Sequence, residues 1–315
     1  MNYLLYRRGT GGESCFAIAS KAQCGMQVYS NDVSLPDAET VFRWGCTATA
    51  QGANDVNSIE AIHAVSNKRE FRQKLQEAGL CPATWFIPDQ VQFPCIVRPS
   101  MHAQGENLWI CQDRHELEAA MAQCTEGWYA SEIIQKTAEY RVYIVQNRVL
   151  LVHQKVPADP SQIAWNHAQG GEFQYVKWGK WPLHVVRTAM QAYALSGLDF
   201  GAVDVIVDEL GVAFVLEINT APSVTSAYDS GCFAKVFDHI AVNGKAAHWC
   251  GGDNWRDFIH PVMSSEARNL VAPPLPQPPP AVYYVSDKDY VLANLDLCVR
   301  LLQAIPVARE VLNGQ

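Results

Sequence analysis

Two carboxylates and one amide occupy the two strands of a predicted β-hairpin. Asp204 lies in the first strand, and Glu217 and Asn219 lie two residues apart in the second, so the last two share one face. A two-residue loop at 209–210 predicts that Asp204 lies opposite Val215, with Glu217 as its diagonal neighbour. Three oxygen-bearing side chains on rigid strands predict about half of the ligands of a Mg²⁺ ion, and phosphates and water would supply the others. A solvated strand face is the alternative, since antiparallel sheets often carry polar residues at alternate positions.

A small lobe at the N-terminus precedes the elements that carry this hairpin. Short strands at 3–7, 26–30 and 41–44, with an apolar helical stretch between the first two, predict an α/β lobe of βαβ type over residues 1–66. A glycine-rich turn at 9–12 follows the first strand. We interpret it as a strand-to-helix turn, because a lone glycine cluster is weak evidence for anion binding.

Two further segments complete the predicted body of the protein. Residues 67–136 form an α+β lobe that opens with a capped helix at 67–79. Residues 137–240 form a core with four successive elements: a long hairpin turning at Gln146-Asn147, an irregular stretch at 157–180, a helix at about 183–197 and the acidic hairpin.

The C-terminal quarter of the chain has a different composition. Residues 241–271 predict an irregular extension, and the proline-rich segment 272–281 predicts a polyproline-II linker to a helical arm at 282–315. The arm has an apolar stripe, which can pack back on the body or dock a protein partner. If the arm docks a protein partner, the body can be a catalytically degenerate scaffold.

The overall composition limits the classes of protein to which the chain can belong. Of the 315 residues, 49% are hydrophobic and 18% are charged, which is typical of a globular protein and excludes disorder of the whole chain. The net charge of −8 disfavours a general nucleic-acid binder, and no apolar run is long enough for a membrane span. The ten cysteines lack CxxC spacing and predict free thiols. The first residues do not resemble a signal peptide, so we expect a cytoplasmic protein.

The acidic hairpin carries the pattern E-x-N-x-x-P after an aspartate-containing strand, and a predicted nucleotide lobe precedes it. This order of elements resembles the ATP-grasp superfamily over residues 66–240, nearest to its glutathione synthetase and ribosomal-protein glutamate ligase branches. The resemblance implies an ATP-grasp fold, with 67–136 as the nucleotide-binding lobe and 137–240 as the core with the metal site. It also implies three magnesium ligands: Asp204, Glu217 and Asn219.

The resemblance implies groups that bind the phosphates of ATP. Lys68 matches the lysine that ATP-grasp ligases direct at phosphates, and Arg98 stands where the family usually has a lysine. The loop 100–107 resembles the flexible loop that closes over the phosphates, with Gly105 as its single glycine. The R-P-x-x-H arrangement that begins at Arg98 is similar to that of phage-type members.

The same resemblance implies an adenosine site. Glu132 and Glu139, seven residues apart, match the pair that meets the adenine amino group and the ribose hydroxyls. The backbone of the connecting hinge, including Ile133 and Ile134, would contribute to the adenine site. A surface strand end is the alternative reading of Glu132.

Three residues match positions at the acyl-phosphate end of the family's site. Arg141 stands in a segment similar to D-x-R, Lys155 matches a cation that precedes a proline, and Asn166 begins a segment similar to N-x-x-x-G-G. Their resemblance implies catalytic roles. Exposed strand positions are the alternative for the two cations, since Arg and Lys are mostly exposed.

The function implied by the resemblance is that of an ADP-forming, ATP-dependent ligase. It would join a carboxylate to an amine, or to a thiol, through an acylphosphate. ATP and Mg²⁺ are the expected cofactors, with Mn²⁺ as an alternative ion. The expected partners are small molecules or peptides that carry the carboxylate and the amine, without nucleic acid or membrane, and the sequence is compatible with a homo-oligomer. The alternatives are a catalytically degenerate scaffold and a small-molecule kinase on the same fold.

Overall fold

The computed structural model describes residues 1–31, 35–50, 52–101, 107–159, 162, 163, 165, 170–224 and 226–246. The chain forms two compact units, of which the first comprises Met1–Val176 and Pro182–His248. In the second unit, only Lys177–Trp181 is described, and it contains a 3-10 turn at Trp178–Lys180. The predicted linker 272–281 and arm 282–315 lie outside the described residues, as does the predicted extension from residue 247 onward.

The N-terminal sheet consists of four parallel strands in the order β2-β1-β3-β4. Its elements are β1 (Asn2–Tyr6), α1 (Gly12–Ala19), β2 (Met26–Ser30), β3 (Ala38–Trp44), β4 (Gly52–Val56) and α2 (Ile59–Ser66). The predicted βαβ order is confirmed. The sequence did not predict β4, because its glycine, asparagine and aspartate have low strand propensity.

The middle sheet is antiparallel, with the order β5-β8-β6-β7. Its elements are α3 (Lys68–Glu77), β5 (Thr84–Trp85), β6 (Cys95–Pro99), β7 (Trp109–Cys111), α4 (Arg114–Ala122) and β8 (Trp128–Glu132). Helix α3 begins as predicted, since the side chain of Asn67 accepts a hydrogen bond from the Glu70 amide at 3.3 Å.

Helix α3 is bonded to the middle sheet at its N-terminal turn. The amide of Lys68 donates to the carbonyl of Ser100 at 2.9 Å, directly after β6. The guanidinium of Arg69 donates to the carbonyl of Trp128 at 2.9 Å, at the start of β8. Two strands of the sheet therefore hold this end of the helix.

The central sheet is antiparallel, with the order β11-β10-β9-β12-β13. Its elements are β9 (Lys136–Val145), β10 (Arg148–Val156), β11 (Glu172–Tyr175), α5 (Leu183–Ala194), β12 (Phe200–Asp208), β13 (Ala213–Asn219) and α6 (Ala227–Asn243). Gln146 and Asn147 form the predicted turn, both with positive φ. The prediction of an irregular stretch over 157–180 was wrong at β11, an edge strand of four residues with three exposed. Helix α5 packs against β9, β12 and β13.

The acidic hairpin has a different register from the predicted one. Its loop has three residues. The Asp208 amide donates to the Val212 carbonyl, and the Val212 amide donates to the carboxylate of Asp208. Gly211 at φ 79° provides the left-handed position that such loops need. Val205, rather than Asp204, therefore lies opposite Val215. A β-bulge follows, which places Asp204 directly opposite Glu217. The two carboxylates share one face, as expected, but as direct rather than diagonal neighbours.

A buried asparagine joins the N-terminal sheet to the central sheet. Asn57 is fully buried, has a φ of 61°, and accepts hydrogen bonds from the amides of Asp199 and Phe200 at 2.8 and 3.0 Å. Its amide donates to the carbonyl of Phe200 at 2.9 Å. Stacked rings reinforce the junction, with Trp44 against Phe200 at 5.2 Å. The two sheets thus pack together at this junction.

Candidate active site

A cleft of about 1130 Å³ runs along one face of the central sheet and receives residues from all three sheets. The alternate residues of the same strands, among them Val142, Val203 and Val205, are fully buried on the other face. Predicted Gly105 and Asn166 lie outside the described residues. The other predicted site residues all line the cleft: Lys68, Arg98, Glu132, Ile133, Ile134, Glu139, Arg141, Lys155, Asp204, Glu217 and Asn219.

The oxygen-bearing residues of the hairpin converge at one end of the cleft. Asp204 and Glu217 are cross-strand partners, and the amide nitrogen of Asn219 lies 3.3 Å from a carboxylate oxygen of Asp204. Asp204 is buried, whereas Glu217 and Asn219 are half-buried. The β-bulge is necessary for this arrangement, because an unshifted register would set Leu216 opposite Asp204 and turn Glu217 to the other face.

Two cations hold the carboxylate of Asp204. Arg141 binds both oxygens, with Nε and Nη2 at 2.7 and 2.8 Å, and Nζ of Lys155 lies 2.9 Å from Oδ2. Burial disfavours the charged carboxylate, but Arg141 and Lys155 outweigh that effect and hold the pKa of Asp204 well below its usual range. Burial also acts to lower the pKa of Lys155, and Asp204 and Glu139 raise it above its usual value. Asp204 and Lys155 therefore stay charged around neutral pH.

Glu139 carries one lysine on each of its oxygens. Nζ of Lys155 lies 2.6 Å from Oε1, and Nζ of Lys136 lies 2.5 Å from Oε2. Lys136, Glu139, Lys155, Asp204 and Arg141 thus form a row of alternating charges across three strands, which we call the charged row. Because its five hydrogen bonds are 2.5–2.9 Å long and buried or partly buried, the row is a fixed feature of the cleft floor.

Helix α3 holds the strand that carries Glu217 and Asn219. The guanidinium of Arg72, which is 6% exposed, donates to the carbonyls of Val215 and Leu216 at 3.3 and 2.6 Å. These carbonyls lie at the β-bulge, where the ladder with β12 is interrupted. Nζ of Lys68 donates to the carbonyl of Ile218 at 2.8 Å and lies 3.7 Å from the carboxylate of Glu217.

The opposite wall of the cleft comes from the middle sheet. Arg98 lies half-buried on β6, and Ile96 of the same strand lines the cleft with it. Glu132 is exposed at the end of β8, where its amide donates to the carbonyl of Ala83 at 2.9 Å and its side chain accepts from the Ala83 amide at 3.4 Å. The segment 133–135 connects β8 to β9 along the cleft.

The N-terminal lobe closes the remaining end of the cleft. The glycine turn 9–12 forms the predicted strand-to-helix turn, and it also lines the cleft together with Arg7. Gly45, with φ 61°, approaches the segment after Asn219 so closely that an added Cβ would lie 2.8 Å from the Cβ of Ala221. The loops after β1 and β3 therefore reach the metal end of the predicted site.

Sequence reasoning missed four charged residues of the cleft: Arg7, Glu13, Arg72 and Lys136. Arg72 had a detectable signal, since it lies four residues after Lys68 and therefore on the same face of α3. Lys136 had none. It lies three residues before Glu139 in the same strand, a spacing that places side chains on opposite faces unless the strand is irregular. The register shift that permits the contact lies between Val207 and Asp208 of β12.

Three negative observations concern the described part of the chain. Within it, no cluster of three or more His, Cys, Asp or Glu side chains is arranged to hold a metal ion. None of its helices combines the length and the apolar character needed to cross a membrane. Its eight cysteines are free thiols, as predicted.

Comparison with curated sequences identifies two kinds of relative. The chain is 40% identical over 79 residues to the carbamoyl phosphate synthase large chain of Streptomyces coelicolor, which covers 22% of this chain and 7% of that protein. It is 26% identical over 144 residues to the D-alanine–D-alanine ligase of Clostridium beijerinckii, which covers 44% of this chain and 48% of the ligase. The chain thus spans less than half the length of each of these relatives.

Comparison with solved structures identifies the same fold. A D-alanine–D-alanine ligase from Bacillus anthracis complexed with ATP superposes with a TM-score of 0.58 at 12% identity, over 78% of this chain and 98% of the ligase. A RiPP-associated ATP-grasp ligase from Chryseobacterium gregarium, in complex with ADP and a leader and core peptide, gives a TM-score of 0.55 at 11% identity, over 75% and 96% of the two chains.

The family model of the RimK-like ATP-grasp domain matches residues 77–234. This match covers β5 to β13, and hence the middle sheet, the central sheet and the charged row. It amounts to half of the 315 residues. The ATP-grasp fold inferred from the sequence is therefore confirmed, and the chain belongs to the RimK-like ATP-grasp family.

Proposed function

We propose that the protein is an ADP-forming, ATP-dependent ligase that joins a carboxylate to an amine through an acylphosphate. The observation that carries the proposal is the charged row beside Glu217 and Asn219 in one cleft. Fixed cations next to oxygen ligands are what phosphoryl transfer needs, because the reaction develops charge on phosphate oxygens. Membership of a family with ligases among the matched relatives supports the same reaction class.

In this proposal, the adenosine of ATP lies between the middle and central sheets. Glu132 and the backbone of the hinge at 133–135 would bind the adenine, with the apolar side chains of Ile96 and Ile206 on either side. Glu139 would accept hydrogen bonds from the ribose hydroxyls. Lys68 and Arg98 would bind phosphates from the opposite wall.

The donor set at the acidic hairpin fits magnesium. Glu217 offers a carboxylate, and Asn219 directs its amide nitrogen at Asp204, which leaves the amide oxygen as a ligand. Oδ1 of Asp204, which among the described residues accepts a hydrogen bond only from Nε of Arg141, completes an all-oxygen set, which suits Mg²⁺ and also Mn²⁺. When bound, the ion would neutralise charge on the phosphates of ATP.

The reaction would proceed in two steps. The substrate carboxylate attacks the γ-phosphorus, the bond from that phosphorus to the bridging oxygen breaks, and ADP leaves. The amine then attacks the acyl carbon and forms the C–N bond, the bond from that carbon to the bridging oxygen breaks, inorganic phosphate leaves with that oxygen, and the amine loses a proton. Arg141 uses Nε and Nη2 for Asp204, and Lys155 uses two of its three protons, so each keeps a donor for the transferred phosphoryl group.

The substrate carboxylate would approach from the N-terminal lobe. This end of the cleft holds Arg7 and the backbone amides of the turn 9–12, and it adjoins the segment after Asn219. We propose a corresponding division of the chain: 1–66 for the acceptor, 67–136 for the nucleotide, and 137–240 for the metal and the chemistry.

Release of ADP tests the proposal directly. The purified protein is incubated with Mg-ATP and pools of amino acids and short peptides, and ADP and amide products are measured. We expect ADP release that depends on an acceptor, and its loss by at least about 100-fold in Glu217→Gln, since the change removes a charge at the metal ligand. Glu209→Gln, at the exposed tip of the same hairpin, is the matched control. Equal turnover in both variants would refute the metal-centred mechanism, and a stable phosphorylated product would show a kinase instead.

A further inference from the structure

Lys136 is the end member of the charged row and directly follows the hinge 133–135 in the chain, and no motif of the sequence marks it. Its side chain is 9% exposed. The ammonium donates to Oε2 of Glu139 at 2.5 Å and to the carbonyl of Ile163 at 2.7 Å, and it lies 4.3 Å from the ring centroid of Trp165. One carboxylate, one carbonyl and one aromatic face match the three protons of an ammonium. The side chain therefore has a fixed position beside Glu139.

The fixed ammonium of Lys136 restricts the orientation of the Glu139 carboxylate. With Lys155 on Oε1 and Lys136 on Oε2, rotation of the carboxylate about its terminal bond would break two charge-assisted hydrogen bonds. A carboxylate has about four acceptor positions, so each oxygen keeps one after binding its lysine. Two parallel acceptors held in one plane are suited to a vicinal diol, which presents two hydroxyl donors side by side.

We propose that Lys136 is a positioning residue that, by holding Oε2 of Glu139, makes nucleotide binding depend on the intact ribose diol. This inference rests on the proposed function, in which Glu139 binds the ribose of ATP. Lys136 itself does not touch the nucleotide. Loss of its ammonium frees Oε2 to rotate toward Lys155 or to bind water, and the pair of acceptors is then no longer fixed.

The second partner of Lys136 extends the effect along the cleft. Ile163 and Trp165 both line the cleft, and the indole N–H of Trp165 donates to the carbonyl of Gln162 at 2.8 Å. Lys136 therefore joins this segment to the ribose carboxylate through one ammonium. Nucleotides that lack a hydroxyl would leave one Glu139 acceptor unpaired in a buried place, which is the usual source of strong discrimination.

Binding of ATP and of 2′-deoxy-ATP to the full chain tests the proposal. Dissociation constants are measured by calorimetry for the wild type, Lys136→Met and Lys136→Arg, with Lys235→Met as the control at an exposed lysine of α6. We expect the wild type and the control to prefer ATP, Lys136→Met to reduce the ratio of the two constants by at least about fivefold, and Lys136→Arg to restore most of it. Circular dichroism checks folding, and Lys136→Gln, which keeps one donor, replaces the Met variant if that variant does not fold.

Two results would overturn the inference. An unchanged ratio in Lys136→Met, including equal weakening of the binding of both nucleotides, would show a role in stability only. Absence of any preference for ATP in the wild type would remove the basis of the proposal. Glu139→Gln separates this inference from the proposed function. If Glu139→Gln abolishes the preference and Lys136→Met does not, only the role of Lys136 is wrong. If neither variant alters the preference for ATP, the proposal that Glu139 binds the ribose is wrong as well.

Discussion

Replacement of Arg72 by methionine should destabilise the β-bulge of β13 and the site that depends on it. Arg72 is 6% exposed and donates to the carbonyl of Leu216 at 2.6 Å and to that of Val215 at 3.3 Å. A hydrogen bond from a charged donor contributes about 1.5–3 kcal/mol, and the longer bond contributes less. Methionine keeps most of the stem packing, so the expected loss in the free energy of unfolding is about 2–4 kcal/mol.

Urea unfolding followed by tryptophan fluorescence measures this loss, with Lys74→Met as the matched control. Lys74 is an exposed cation on the same helix, and its replacement should change stability by less than about 0.5 kcal/mol. The apparent magnesium concentration for half-maximal ADP release should rise by about tenfold in Arg72→Met, because Glu217 and Asn219 lose their fixed face. Stability of Arg72→Met within about 0.5 kcal/mol of the wild type would refute the reasoning, since it would mean that the bulge is stable without the guanidinium.

Two other features of the structure give testable outcomes. Asn57→Ala removes four side-chain hydrogen bonds and leaves the amides of Asp199 and Phe200 without their acceptor. We therefore expect a loss of about 2–4 kcal/mol in the free energy of unfolding, and a loss below about 1 kcal/mol would contradict the role of Asn57 at the junction. Burial raises the pKa of Cys232 to about 12, so its thiol stays protonated at pH 8. Mass spectrometry after iodoacetamide treatment should therefore find Cys232 modified only when the protein unfolds, and rapid modification of the native protein would show that the thiol is accessible and ionised.

The sequence predicted the elements that have strong local signals. The turn at Gln146-Asn147 and the cap at Asn67 follow from residue types that favour those backbone conformations, and both occur where predicted. The alternation of Glu217 and Asn219 likewise places them on one face. These features depend on neighbouring residues alone, so an isolated sequence is enough to predict them.

The remaining features depend on contacts between distant segments. The bulge that sets Asp204 opposite Glu217 is held by Arg72, which bonds Leu216 from 144 residues away in the chain. The contact of Lys136 with Glu139 needs an irregularity in their own strand, where β9 advances two residues, from Ala138 to Lys136, against one residue of β12. Strand β11 is a short exposed edge strand without an apolar pattern. Periodicity reports which residues face the core, and it carries no information about such long-range contacts.

The two-sided attachment of α3 has a mechanical consequence. Its first turn is bonded to the middle sheet through the Lys68 amide and Arg69, while Lys68 Nζ and Arg72 are bonded to β13. A helix is stiff along its axis, so a force applied at one set of bonds is transmitted to the other with little loss. Any displacement of the middle sheet that narrows the cleft is therefore transmitted to the strand that bears Glu217. Under the proposed function, tightening around ATP and adjustment of the proposed metal ligands Glu217 and Asn219 would then be a single motion.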